Sequence, residues 1–410
     1  MTLLKRSLLS AAAVVVASHA SAADLEVTHW WTSGGEAAAV SEFAKAFDAT
    51  EHTWIDGAIA GSGGTARPII ISRILGGDPM HATQLNHGRQ AEELVEAGLM
   101  LDLSDVAAEG GWADVVNPSR LLDSCTLDGK VYCVPVNIHS PQWLWLSHDA
   151  FAKAGLDVPS DWFEFVKAAP KLREAGVVPL AMGQQSWQTD LAFGAIQVAV
   201  GGTDLYLDVL TNKNAKAAAS AEMTKVFEAY ADARLLSVGS NVNDWNQATN
   251  LVITGQAGGQ IHGDWAQGEF QVAGQVAGKD YTCLPGLGVN EIIATGGDAF
   301  YFPKQDDPAI EAAQKELAKL MISKEVQVAF NLKKGSLPIR GDVDLSAAND
   351  CMKKGLAILA AGNVLPDGVN AFSADTAGQM ADLMVEFWND TSITVEDAQA
   401  RYVDIIATAD

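Results

Sequence analysis

Tryptophan is the residue this sequence has in excess, 11 against six tyrosines, and many of the indoles have amides or acids as close neighbours. They fall in Trp30-Trp31, Asn137-Ile-His139-Ser-Pro-Gln142-Trp143-Leu-Trp145, Gln184-Gln185-Ser-Trp187-Gln188, Asn243-Asp244-Trp245-Asn246 and Gly263-Asp264-Trp265-Ala-Gln-Gly-Glu269. A pyranose presents apolar C–H faces and a rim of hydroxyls, so an indole bordered by Asp, Asn, Gln or Lys matches it. Stacking supplies the apolar part and planar polar groups supply directed hydrogen bonds. Any one tryptophan could equally fill a core with an amide on its N–H; the clusters together point to sugar binding.

Catalytic signatures are missing. The chain has no GxSxG elbow, HExxH, GxGxxG or Walker loop, and Gly61-Ser-Gly-Gly64 lacks the Lys-Ser/Thr that would make it a phosphate cradle. His81 and His87 are not spaced to place two metal ligands on one helix face. No metal, cofactor or catalytic residue is expected. A carboxylate pair for glycoside hydrolysis can come from anywhere in a chain, and Asp264 with Glu269 are the acids to test for that rival, a secreted carbohydrate-active enzyme.

Positioning these residues falls to alternating strands and helices. Leu25-Glu-Val-Thr-His-Trp alternates like a strand, and Glu36 to Phe47 carries apolar residues at helical spacing behind Gly34-Gly35. Further strands are read at Ala82 to Leu85 and Val131 to Val136. Helices are read at Arg89 to Ala97, Trp162 to Ala175, Ala221 to Ala231, Ile310 to Leu320, Met352 to Ala361 and Gly378 to Trp388. Such alternation predicts α/β layers with mostly parallel sheets. No internal repeat or low-complexity linker divides the chain, and 410 residues exceed one compact core, so two interleaved domains are expected.

Lys5-Arg6, an apolar run through Ala17 and Ala20-Ser21-Ala22 have the three-part form of a secretory signal, 1–22, cleaved near Ala22. The 27 basic and 51 acidic residues give −24, and losing Lys5 and Arg6 takes the mature chain to −26. That charge disfavours nucleic acid and anionic membrane surfaces as partners. Four cysteines in an exported chain suggest two disulfides. Cys125 and Cys133 flank an Asp128-Gly129 hairpin turn that would bring them together, leaving Cys283 with Cys351; no pair has zinc-like CxxC spacing.

In order along the chain, HWWTSGGEAAAV, VPVNIHSPQWLW, NDWNQAT, HGDWAQGEF with GKDYTCLPG, and NLKKGSLPIR resemble the extracytoplasmic solute-binding proteins of ABC sugar importers, most closely the glucose/mannose type. The resemblance covers nearly the whole mature chain. It implies a two-lobed α/β periplasmic-binding-protein fold, type II-like, with the ligand in the cleft between lobes. Each lobe would be discontinuous: residues 24–137 plus about 295–340 in the N-lobe, and 138–294 plus about 341–410 in the C-lobe. Crossings would fall near Val136 to His139, Ile292 to Asp298 and after Arg340, and Cys283–Cys351 matches the family's disulfide.

By that resemblance Trp30 and Trp31 stack on the sugar, Glu36 meets hydroxyls, Asp298 and Lys334 point into the cleft, and Trp265 stacks from the opposite lobe. Two places depart from the family. Gln84-Leu85-Asn86-His87 replaces a lysine, and Asp367-Gly-Val-Asn370 replaces a histidine, so Asn86, His87 and Asn370 are carried as contacts of altered chemistry and hexose selectivity changes with them. The expectation is a periplasmic, monomeric, non-enzymatic receptor that captures a monosaccharide and delivers it to inner-membrane ABC permease subunits. A receptor serving chemotaxis would use the same closed lobes.

Overall fold

The computed structural model describes residues 22–86, 88–366, 368 and 372–409; the expected signal, through residue 21, and the candidates His87 and Asn370 lie outside the described residues. The alternation of Leu25, Val27 and His29 becomes β1 (Asp24–His29), whose inward residues are buried. In chain order follow β2 (Thr53–Ala58), β3 (Ala82–Asn86), β4 (Thr126–Leu127), β5 (Lys130–Val131), β6 (Cys133–Pro135), β7 (Trp143–Ser147), β8 (Val178–Ala181), β9 (Ala257–His262), β10 (Tyr281–Pro285), β11 (Ile293–Ala294), β12 (Asp298–Tyr301) and β13 (Val364–Leu365). Helix α1 spans Gly34–Asp48 and α2 spans Ser62–Leu75.

Two main sheets organise the two lobes. The first has the order β2-β1-β3-β12-β6, the second β10-β7-β9-β8. The expectation of mostly parallel sheets is corrected. Strands β1, β2 and β3 run parallel, but β12 returns from the second sheet and lies antiparallel between β3 and β6. In the second sheet only β8 and β9 are parallel. A strand that re-enters a sheet from the other lobe needs no βαβ crossover, so its direction is not fixed by one.

Connections between the sheets converge. The chain leaves the first sheet after β6, returns through β11 to β12, and leaves again after helix Lys324–Lys334 toward helix Asp350–Ala360. Ile138 N donates to Leu337 O at 2.7 Å and His139 N to Gly296 O at 2.9 Å, so the three passages lie side by side. Helix Lys324–Lys334 braces them from its buried face: Gln327 Nε2 and Asn331 Nδ2 both donate to Val136 O. Gly335, at φ +86, ends that helix in the left-handed conformation that favours glycine.

Aromatic packing fixes each lobe. Trp31 lies 5.7 Å from Phe300 and 5.2 Å from Phe330, and Phe43 stacks on Phe330 at 4.3 Å. In the second lobe Phe193, Phe227, Tyr230 and Tyr402 form a similar nest. Both disulfides are present, Cys125–Cys133 around the β4–β5 hairpin and Cys283–Cys351 joining β10 to helix Asp350–Ala360. The turn residues Asp128 and Gly129 both have positive φ, 49° and 75°, the geometry of a type I′ hairpin.

Candidate ligand-binding cleft

The carboxyl ends of β1 and β3 and the start of antiparallel β12 meet at one sheet edge, where Asp298 pairs with Asn86. The second sheet presents the ends of β8 and β9 and the start of β7 in the same way. Strand ends of this kind are where α/β sheets hold ligands. A cavity of about 440 Å³ opens there, lined from the first lobe by Trp30, Trp31, Glu36, Arg67, Asn86, Asp298 and Lys334. Trp187, Trp245 and Trp265 line it from the second, and His139 from a connecting passage.

Lys334 is at the junction. Helix Lys324–Lys334 buries Gln327, Phe330, Asn331 and Lys334 along one face, which carries the ammonium inward. Its Nζ donates to Glu36 Oε1 at 2.8 Å and lies 5.5 Å from the Trp31 ring centroid and 5.9 Å from that of Trp265. Indole faces from both lobes thus flank one cation at cation–π range. Burial pushes the Glu36 carboxyl upward in pKa, opposed by Lys334.

Asp298 is the second polar centre. Oδ1 accepts from Gln84 Nε2 at 2.8 Å, and Oδ2 accepts from Asn137 Nδ2 at 2.9 Å and lies 3.0 Å from His139 Nε2. Burial raises its pKa, but His139, Lys334 and the Asn137 and Gln84 amides outweigh it and hold the carboxylate below its ordinary range. Gln84 also accepts from Trp30 N at 3.1 Å, so one amide fixes both the tryptophan pair and the acid.

The adjacent tryptophans divide their work. Trp31 is 1% exposed and anchored among Phe43, Phe300 and Phe330, whereas Trp30 faces the Arg67 guanidinium at 5.8 Å. Across the cleft, Trp265 Nε1 donates to His262 Nε2 at 2.7 Å, and His262 stacks on Trp245. Burial, with Lys334 and His139 nearby, lowers the His262 pKa to about 3, so the imidazole is a neutral acceptor that orients the indole.

The structure therefore brings Trp30, Trp31, Glu36, Asn86, Trp265, Asp298 and Lys334 into one cavity. Arg67, His139, Trp187 and Trp245 also line it, beyond the contacts that the resemblance implies. Trp187, Trp245 and His139 belong to the amide-rich clusters of the sequence; Arg67 carried no local signal. Asp264 and Glu269 do not line the cavity. Asp264 Oδ2 accepts from Ser140 N at 3.0 Å, and Glu269 Oε1 accepts from Gly35 N at 2.7 Å, serving the first turn of α1. Among the described residues no cluster of His, Cys, Asp and Glu could hold a metal.

Two outcomes follow from these buried charges. Lys334→Met strands the Glu36 carboxylate and is expected to lower stability to urea by about 3–5 kcal/mol, with Glu36→Gln added to Lys334→Met restoring most of it; an additive double variant contradicts the pairing. His262 binds its proton less readily folded than unfolded. Its stabilising contribution is therefore complete above 6.5 and is lost as pH falls toward about 3. NMR should find the ring neutral at pH 5; a titration centred near 6.5 contradicts the burial argument.

Comparison with known proteins agrees with this architecture. The family model of bacterial extracellular solute-binding proteins matches residues 31–328. A protein of Rhizobium meliloti named "Probable sugar-binding periplasmic protein" is 36% identical over 361 residues, 86% of this chain and 85% of its own. A protein of the same name from Brucella melitensis is 35% identical over 337 residues, 82% and 79% of the two chains. Among solved structures, a chitin oligosaccharide binding protein superposes with a TM-score of 0.77 at 18% identity, covering 95% of this chain and 99% of its own. The solute receptor AcbH, described with a preference for β-D-galactopyranose, gives 0.76 at 21% identity, covering 94% and 98%. With its two sheets, linked passages and intervening cleft, this chain belongs to the bacterial extracellular solute-binding proteins.

Proposed function

We propose that the protein is the periplasmic sugar receptor of an ABC importer, capturing a monosaccharide such as glucose or a related hexose and passing it to the membrane permease. The observation that carries this reading is a cavity with indoles on both sides, the Trp30–Trp31 pair from one lobe and Trp265 from the other, with Lys334 and Asp298 also in its lining. An apolar sugar face would lie on an indole while hydroxyls reach the ammonium and carboxylate. The names of the relatives support the same class.

Delivery requires that the ligand favour one lobe arrangement over another. A sugar bridging both lobes has that differential affinity; one touching a single lobe shifts nothing. The lobes divide as 24–137 with about 295–340 and 138–294 with about 341–410, and the bonded passages at Ile138–Leu337 and His139–Gly296 act as the hinge. The receptor acts as a monomer and performs no chemistry.

The extent of the cavity favours one further reading, a short oligosaccharide. The lining also includes the small residues Ala374, Ala377, Gly378 and Ala381, which leave room beside the charged groups, and a chitin oligosaccharide binder shares the fold. Calorimetry with hexoses, pentoses and di- and trisaccharides discriminates the two. The monosaccharide reading expects the tightest ligand to be a single ring, with Trp265→Ala and Asp298→Ala each weakening it by about 1–3 kcal/mol. A longer saccharide as the tightest ligand contradicts it, and unchanged affinity in both variants removes the site.

A further inference from the structure

We propose that the preferred sugar carries a carboxylate, as a hexuronic acid does, and that Arg67 with the first turn of α2 receives it. This rests on the sugar-receptor reading above. The charged groups of the cavity otherwise have partners in the protein. Lys334 is bonded to Glu36, Asp298 is held by Gln84 and Asn137 and lies 3.0 Å from His139, and Asp190 also has a partner. Arg67 stands apart: no carboxylate among the described residues lies within ion-pair distance of it. Among the described residues its one hydrogen bond runs from Nε to Gly63 O at 3.2 Å, and neither terminal nitrogen bonds to any of them.

Its setting suits an anion. The guanidinium packs against Trp30 and Gly63 in the cavity wall, where desolvation disfavours its charge and Asp298 only partly offsets that. A ligand carboxylate would supply the missing counter-charge, and the two free ends of the guanidinium match its two oxygens. Beside it, α2 is 14 residues long and begins without a side-chain cap or an acidic residue in its first turn. Ser62, Gly63 and Gly64 line the cavity there, so the unpaired N–H groups of the turn and the helix dipole favour negative charge at the same place. A ring lying on Trp265 with hydroxyls toward Asp298 and Lys334 would turn its carboxylate toward Arg67.

The test is calorimetry on the mature chain at pH 7 with D-glucuronate and D-galacturonate against D-glucose and D-galactose. One uronate is expected to bind about tenfold or more tighter than its parent hexose. Arg67→Gln should collapse that ratio and Arg67→Lys should retain part of it. The proposal is overturned if each hexose binds at least as tightly as its uronate, if Arg67→Gln weakens acid and hexose alike, or if only neutral saccharides bind. In those cases the sugar-receptor reading stands. Absence of binding by every saccharide, acidic and neutral, defeats that reading and this proposal together.

Discussion

A buried ammonium at the junction of two lobes constrains everything around it. Lys334 is 1% exposed, and a charge so placed persists only with a close counter-charge and polarisable neighbours. Glu36 supplies the first at 2.8 Å, and the Trp31 and Trp265 rings supply the second from opposite lobes. Satisfying Lys334 fixes the first turn of α1, the end of helix Lys324–Lys334 and the loop after β9 relative to one another. Asp298 adds a second polar group to the cleft, held from beneath the lining by the buried amides of Gln84 and Asn137.

That arrangement is possible because backbones touch where the lobes meet. A Cβ on Gly35 would fall 2.5 Å from the Gly268 carbonyl carbon, and one on Gly335 would fall 2.8 Å from Gln267 Cβ. Glycine at these positions lets helix Ala266–Val272 lie directly on α1, so that Glu269 reaches Gly35 N and Trp265 reaches the cation. The seam joining the lobes and the cleft between them are consequences of one close approach.

Much of this was legible in the sequence, for physical reasons that differ by element. Strand β1 and helix α1 announce themselves through clear periodicity, and the Asp128-Gly129 turn predicts its hairpin and disulfide. Strand β2 is not legible in the sequence because it is an edge strand that buries Trp54 but leaves Ile55 and Asp56 exposed, so period-2 alternation is absent. Sheet direction is not legible either, because local pattern carries no information about which strand returns from the other lobe, as β12 does. Within the cleft, the tryptophan clusters and matched motifs singled out residues that the fold does bring together. Arg67 was invisible since its neighbour Trp30 lies 37 positions away; only the packing of α2 against the end of β1 joins them.

The most direct test of the central claim is a crystal structure of the protein with its tightest-binding saccharide. The account predicts a ring in van der Waals contact with Trp265 of one lobe and an indole of the Trp30–Trp31 pair of the other, with a hydroxyl hydrogen-bonded to Asp298. A saccharide seated on one lobe alone, or outside the cavity around Lys334, would contradict it.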